Sequence, residues 1–167
     1  MKTFISLILS LAMAISGLFS SMFAKSKEPV SSTVQAPTTA FCSKEEFDVY
    51  AAVNEVRKDA GVQTLELDGE LCRLARIRAE EQTELKGHTR PDGTRFYTVF
   101  SEQGIHHYRI VGENICITSQ CEVDRVINGW YESQSHRENM LNTKWTATGV
   151  GIYETVERTY IVQLFAC

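Results

Sequence analysis

Two imidazoles and a carboxylate stand in polar, backbone-shaping settings along this chain. His88 precedes the turn-forming run Pro91-Asp92-Gly93, Glu113 lies between Gly112 and Asn114, and His136 falls at an expected helix start in Ser135-His136-Arg137-Glu138. Neutral imidazole nitrogens and carboxylate oxygens are suitable zinc ligands, and the same groups can move protons. They can equally form a hydrogen-bonded cluster that fixes the fold, because structural networks imitate active sites. No local spacing joins the three, so three distant segments would have to converge. A hydrolytic zinc site would keep three protein ligands and one water, with Glu113 as ligand or base. Ser133 and Ser135 are serines near His136, but Ser135 reads as a helix cap and no oxyanion hole or third partner is evident. A catalytic cysteine would need a thiolate beside an imidazole, which an oxidising compartment disfavours.

Helices and the loops at their ends must bring these residues together. Ser43-Lys44-Glu45-Glu46 forms a capping box that opens a helix to about Ala60. Phe47, Tyr50, Val53 and Val56 repeat there at helical spacing, and Gly61 is a natural stop. Asp68 caps a second helix with Leu71, Leu74, Ala75 and Ala79 on one face, expected to run to about Lys86 before Gly87. His88 therefore emerges from a helix terminus into a loop, where functional groups are common. Arginines 73, 76 and 78 interleave with acids on this helix and read as a solvated face. Arg90-Pro91-Asp92-Gly93 is a turn, followed by an expected short strand near Phe96–Phe100. Val123, Val126, Ile127 and Trp130 form one stripe of a third helix from Glu122 to Tyr131, with Trp130 in the core. Ser135 and Glu138 form a second capping box, opening a short helix through Leu141. His106-His107 reads as a loop or surface pair, and Arg137 and Asn139 as groups that bond backbone. The period then changes to two. Val150 and Ile152, and after a charged turn Tyr160, Val162 and Leu164, alternate as a hairpin. Helices preceding an antiparallel hairpin imply an α+β domain.

Three stretches divide the chain. Residues 1–24 have a short basic start and an apolar run from Phe4 to Phe23, the pattern of a secretory signal peptide; an uncleaved membrane anchor is the rival reading. Residues 25–41, with Pro29, Pro37 and many Ser, Thr and Ala, read as a disordered linker that buries too little to offset its ordering entropy. Residues 42–167 are the size of one domain with a single core. The formal charge of −4 becomes −5 when Lys2 leaves with the leader, which argues against non-specific nucleic-acid binding. Five cysteines suit an oxidising compartment. Cys116 and Cys121 could close a small loop. A Cys42–Cys167 bridge would tie both ends of the domain, contributing roughly 4 to 5 kcal/mol by chain entropy. Cys72, among apolar helix positions, reads as a buried free thiol. Sequence alone leaves this connectivity open.

Taken in order, Asn54-Glu55-Val56-Arg57, the His88 loop, Gly112-Glu113-Asn114, Trp130, His136-Arg137-Glu138-Asn139-Met140, Gly149-Val150-Gly151 and the final strand resemble the bacterial, SCP-like extracellular branch of the CAP superfamily. That superfamily holds cysteine-rich secretory, antigen 5 and pathogenesis-related proteins. The resemblance implies a three-layer α-β-α sandwich around a central antiparallel sheet, with a cleft lined by a His and Glu tetrad. His88, Glu113 and His136 match three of its members. Ser133 occupies the fourth position, where the family has a second glutamate; Glu132 is one residue early and would point elsewhere. The resulting expectation is a secreted, monomeric, non-enzymatic domain. Its His88, Glu113, His136 and Ser133 cleft would bind a divalent cation such as zinc through His88, His136 and Glu113, or a small extracellular ligand or partner protein. The alternative is a metal-dependent, peptidase-like hydrolase using the same residues. A third reading is a purely structural cluster. No nucleic-acid partner is expected, and membrane contact only through an uncleaved leader.

Overall fold

A computed structural model describes residues 41–167. The expected signal peptide, and the expected linker up to residue 40, lie outside the described residues. Among the described residues no helix is long and apolar enough to cross a membrane.

The expected capping box forms. Ser43 Oγ accepts from the Glu46 amide and the Ser43 amide donates to Glu46 Oε2 (2.8 Å), starting α1 (Lys44–Asp59). Ala60 closes the helix, and Gly61 turns away with φ of 70°. The buried face is centred on Val49 and Val53, leaving Phe47, Tyr50 and Val56 partly covered. Asp68 caps α2 (Gly69–Glu81) by accepting from the Glu70 and Leu71 amides. This helix ends five residues before the Lys86 terminus expected, and residues 82–84 form turns instead. A two-residue strand, β1 (Glu66–Leu67), precedes it.

The segment expected as a strand near Phe96–Phe100 contains a short helix, α3 (Thr98–Glu102). Here tertiary contact overrides β-propensity: Val99 and Phe100 are adjacent yet both buried, which a strand with alternating faces would not allow. β2 (Val111–Thr118) follows, then α4 (Val123–Glu132), α5 (Gln134–Leu141), and the hairpin β3 (Ala147–Glu154) and β4 (Thr159–Ala166). Ser133, rather than Ser135, is the residue before α5, and neither makes a side-chain cap; Gln134 and Glu138 pair instead (2.9 Å).

The sheet order is β1-β3-β4-β2. β4 pairs antiparallel with both β3 and β2, and the short β1 joins β3 in parallel, so the antiparallel sheet carries one small parallel edge. All of β4 is buried, because helices cover both faces. Ile161 and Phe165 point to a core with Val49 and Val53 of α1, Val126, Ile127 and Trp130 of α4 and Met140 of α5. Tyr160, Val162, Leu164 and Ala166 point to a second core with Leu71, Leu74 and Ala75 of α2 and Val99 and Phe100 of α3. This is the three-layer α-β-α sandwich.

Close approach of α2 to β3 depends on Gly149 and Gly151. A Cβ at either position would collide with α2 backbone, at Leu71 and Cys72 or at Ala75 and Arg76. The Gly-Val-Gly run therefore lets helix backbone lie directly on the strand.

Candidate functional site

β2 is an edge strand, and the site is built around it. Alternation sends the Glu113 side chain to the α2 face and the neighbouring Asn114 to the α5 face. Glu113 is sealed from solvent. Its Oε1 accepts from Arg78 Nε at 2.8 Å, and its Oε2 meets His88 Nδ1 at 2.8 Å. A carboxylate only accepts, so Nδ1 is the donor. In the neutral ring Nε2 is then left as acceptor or ligand. The His88 side chain is 54% exposed, which leaves that edge open to solvent.

Arg78 is fully buried and is the hub of this arrangement. Besides Glu113 it binds Glu81 through Nη1 and the Gly87 carbonyl through Nη2 (3.0 Å). Gln82 clamps the same peptide from both sides: its Nε2 donates to the Gly87 carbonyl (3.0 Å) and its Oε1 accepts from the Gly87 amide (2.7 Å). Gly87 itself has φ of 110°, a conformation that suits glycine. The residue before His88 is thus fixed by two buried side chains, Arg78 of α2 and Gln82 just after it. Downstream, the His88 carbonyl accepts from the Phe96 amide (2.9 Å), and the Arg90 guanidinium ties the turn to Glu81, Glu102 and Thr98.

His136 comes from the other layer. α5 reaches the outer edge of β2 through Asn139, whose Nδ2 donates to the Glu113 carbonyl (3.2 Å) and to Asn114 Oδ1 (3.0 Å). Asn114 in turn donates to the His136 carbonyl (3.1 Å), and Trp130 donates to the Ile115 carbonyl (3.1 Å). Side chains of α4 and α5 therefore cover main-chain acceptors that an edge strand would expose. The His136 ring is partly covered. Burial holds its pKa below the ordinary histidine range, and the nearby charge of His88 pushes the same way. The two imidazoles are thus within electrostatic reach around the strand edge.

The expected three-ligand metal centre of His88, His136 and Glu113 does not form in this geometry. Among the described residues no group of three or more His, Cys, Asp or Glu is arranged to hold a metal ion. The physical reason is that both Glu113 oxygens are already engaged, one by Arg78 and one by His88. Ser133 does not join the group either. It lies at the α4–α5 junction, where its carbonyl accepts from the Arg137 amide (2.9 Å) and its hydroxyl approaches Ser135 (3.4 Å). His106 and His107 are exposed loop residues, as expected. Arg137 and Asn139 bond backbone, to Tyr131 and Glu113.

Arg78 and Gln82 were not legible as site residues. The arginines of α2 do not all lie on a solvated face: Arg73 is exposed, but Arg78 is sealed at the site and Arg76 reaches Glu46 of α1. A three-residue spacing from Arg78 to Glu81 reads as an ordinary surface pair, and only the position of β2 turns it inward.

No two cysteines are joined in this structure, so the expected Cys116–Cys121 loop closure is not seen among the described residues. The expected Cys42–Cys167 bridge conflicts with strand register. Cys42 precedes a helix whose Glu46 accepts from the Ile152 amide, whereas Cys167 follows Ala166, which pairs with Ala147. Five residues of strand separate those levels, roughly 17 Å, well beyond disulfide reach.

Comparison with known proteins agrees with this architecture. Residues 50–167 match the model described as CAP, cysteine-rich secretory protein family. YkwD of Bacillus subtilis, an uncharacterized protein, is 29% identical over 130 residues, covering 77% of this chain and 49% of that protein; the chain spans about half the length of this relative. An outer surface protein of Borrelia burgdorferi superposes with a TM-score of 0.66 at 27% identity, covering 74% of this chain and 92% of that one. A crystal structure of NaASP2 with Zn2+ shares the fold, with a TM-score of 0.56 at 13% identity, covering 76% and 82% of the two chains.

Proposed function

The chain belongs to the cysteine-rich secretory protein family, and from that footing we propose that it is an exported, non-catalytic binding domain. Its recognition group is the outward edge of His88, with His136 beside it. One observation carries this reading. His88 is half exposed, yet its Nδ1 is held by a carboxylate that is itself sealed and anchored by Arg78. An imidazole oriented from behind and open in front is pre-organised to bind.

The donor set does not suit a closed zinc site, which needs four protein ligands. It suits an open divalent site in which His88 Nε2 and His136 are the ligands, and Glu113 stands behind His88 as its hydrogen-bonded support. Burial favours neutral His136, the form that can ligate. A bound divalent cation would offer open coordination positions to an oxygen-bearing ligand. The zinc in the NaASP2 crystal supports the choice of probe. Export is supported by the basic start and apolar run of residues 1–24 and by the outer-surface designation of the Borrelia relative.

Calorimetric titration with Zn2+ tests the proposal. One equivalent is expected to bind, with affinity at least about tenfold weaker in His88→Ala and His136→Ala, and about 10- to 100-fold weaker in Glu113→Gln. A mixed peptide library incubated with the zinc-loaded protein should remain intact. Turnover would overturn the non-catalytic reading, and unchanged affinity in both histidine variants would remove the site.

A further inference from the structure

Cys72 and the segment entering α1 are placed for a covalent link that lies away from the histidine site. We propose that Cys42 and Cys72 form a disulfide that staples the entry of α1 to α2 across the open edge of β3. The geometry starts with Phe41. Its ring packs on Gly69, so closely that a Cβ there would sit 3.3 Å from it, and its carbonyl accepts from Arg76 Nη2 at 2.7 Å. Gly69, Cys72 and Arg76 are spaced three and four apart, hence on one face of α2. Cys42 follows Phe41 directly and is held over the middle of that face. This places the Cys42 thiol beside that of Cys72, near enough for each to influence the other's ionisation.

The location gives the link a structural purpose. α1 and α2 pack on opposite faces of the sheet. They meet around the edge of β3, beyond the two-residue β1, where Arg76 binds Glu46 and Glu46 Oε1 accepts from the Ile152 amide (3.2 Å). The staple lies beside this polar clasp and joins the same two layers. Cys42 is partly exposed, so an oxidant can reach it, whereas Cys72 is fully buried. Burial raises both thiols, Cys42 to about 12. Thiols that ionise so reluctantly are poor leaving groups, which marks the pair as a durable staple rather than a reactive switch.

Formation requires a disulfide donor such as glutathione disulfide. The Cys42 thiolate attacks one donor sulfur, breaking the donor S–S bond and releasing one donor thiolate. The Cys72 thiolate then attacks the Cys42 sulfur of the mixed disulfide and releases the second. One protein S–S bond forms. The donor gains two electrons and takes up the two thiol protons as two donor thiols.

The test is oxidation of the full chain in a glutathione redox buffer, alkylation of remaining thiols, and proteolysis without reductant. Mass spectrometry should find a peptide joining Cys42 to Cys72. Oxidised wild type should melt on the order of 10 °C above the reduced protein, and Cys42→Ser, at the partly exposed position, should lose that link and most of the shift. Recovery of Cys42 and Cys72 both alkylated, or of Cys42 joined to Cys167, overturns the proposal. So does a Cys42→Ser protein that keeps the full oxidation-dependent shift.

Discussion

A carboxylate sealed from water between one guanidinium and one imidazole tolerates little change. Replacing Arg78 with methionine leaves Glu113 buried with His88 as its remaining side-chain partner. Removing one member of a buried pair costs about 3–5 kcal/mol. Glu113→Gln should cost less, about 1–3 kcal/mol, because Arg78 keeps Glu81 and the Gly87 carbonyl. Urea unfolding of both variants checks the order, and a loss under 1 kcal/mol in Arg78→Met would show that the pair is not load-sharing in this way. His136 sets a pH dependence. Its folded pKa is lowered by burial and by the charge of His88, so the unfolded chain binds the extra proton first as pH falls. The stability tied to this group is present above the ordinary histidine pKa of about 6.5 and is lost as pH drops below it. Unfolding curves at pH 7.5 and 5 should therefore differ less for His136→Asn than for wild type. An identical difference would mean that His136 titrates freely.

At the scale of elements, the caps of α1 and α2 were readable because each is a local pattern; Ser43 with Glu46 and Asp68 with the next turn behave as their spacing demands, whereas Ser135 and Glu138 do not form the box expected for α5. The end of α2 was not readable, because what stops it is Gln82 folding back on Gly87, a contact five residues ahead. α3 escaped for a similar reason, its apolar pair being buried by elements that arrive from elsewhere. Two predictions follow from element contacts. Gly149→Ala and Gly151→Ala push a methyl into α2 backbone and should each destabilise by about 1–3 kcal/mol or more, read by thermal melting; a neutral result would show that α2 stands off β3. Gln82→Ala releases both groups of the Gly87 peptide. Amide exchange of Gly87 and its neighbours should accelerate while exchange in β4 stays slow, and uniform acceleration would mean that the clamp serves global stability instead.

For the whole molecule, β4 couples the two cores, since its alternate residues belong to each. Both tryptophans, Trp130 and Trp145, sit in the core shared with α1, α4 and α5. Their fluorescence reports that layer, whereas circular dichroism also senses α2 and α3. If one shared strand suffices for cooperativity, the two probes will give coincident denaturation curves. Separate midpoints would show that the layers unfold independently.

Amphipathic period, the caps of α1 and α2 and the terminal hairpin were decided locally, so the α+β class, Trp130 in the core and the ordered segments of the family were present in the sequence itself. The three residues of the site were identifiable as types, but their roles were not. Which oxygen of Glu113 faces which partner depends on β2 being an edge strand with α2 on one side and α5 around its rim. That arrangement makes Arg78 a buried hub, engages both oxygens of Glu113 with Arg78 and His88, and seats Cys42 beside Cys72 rather than Cys167. Local pattern is set by neighbours within a few residues, whereas burial and charge pairing are set by segments that meet only when the layers close.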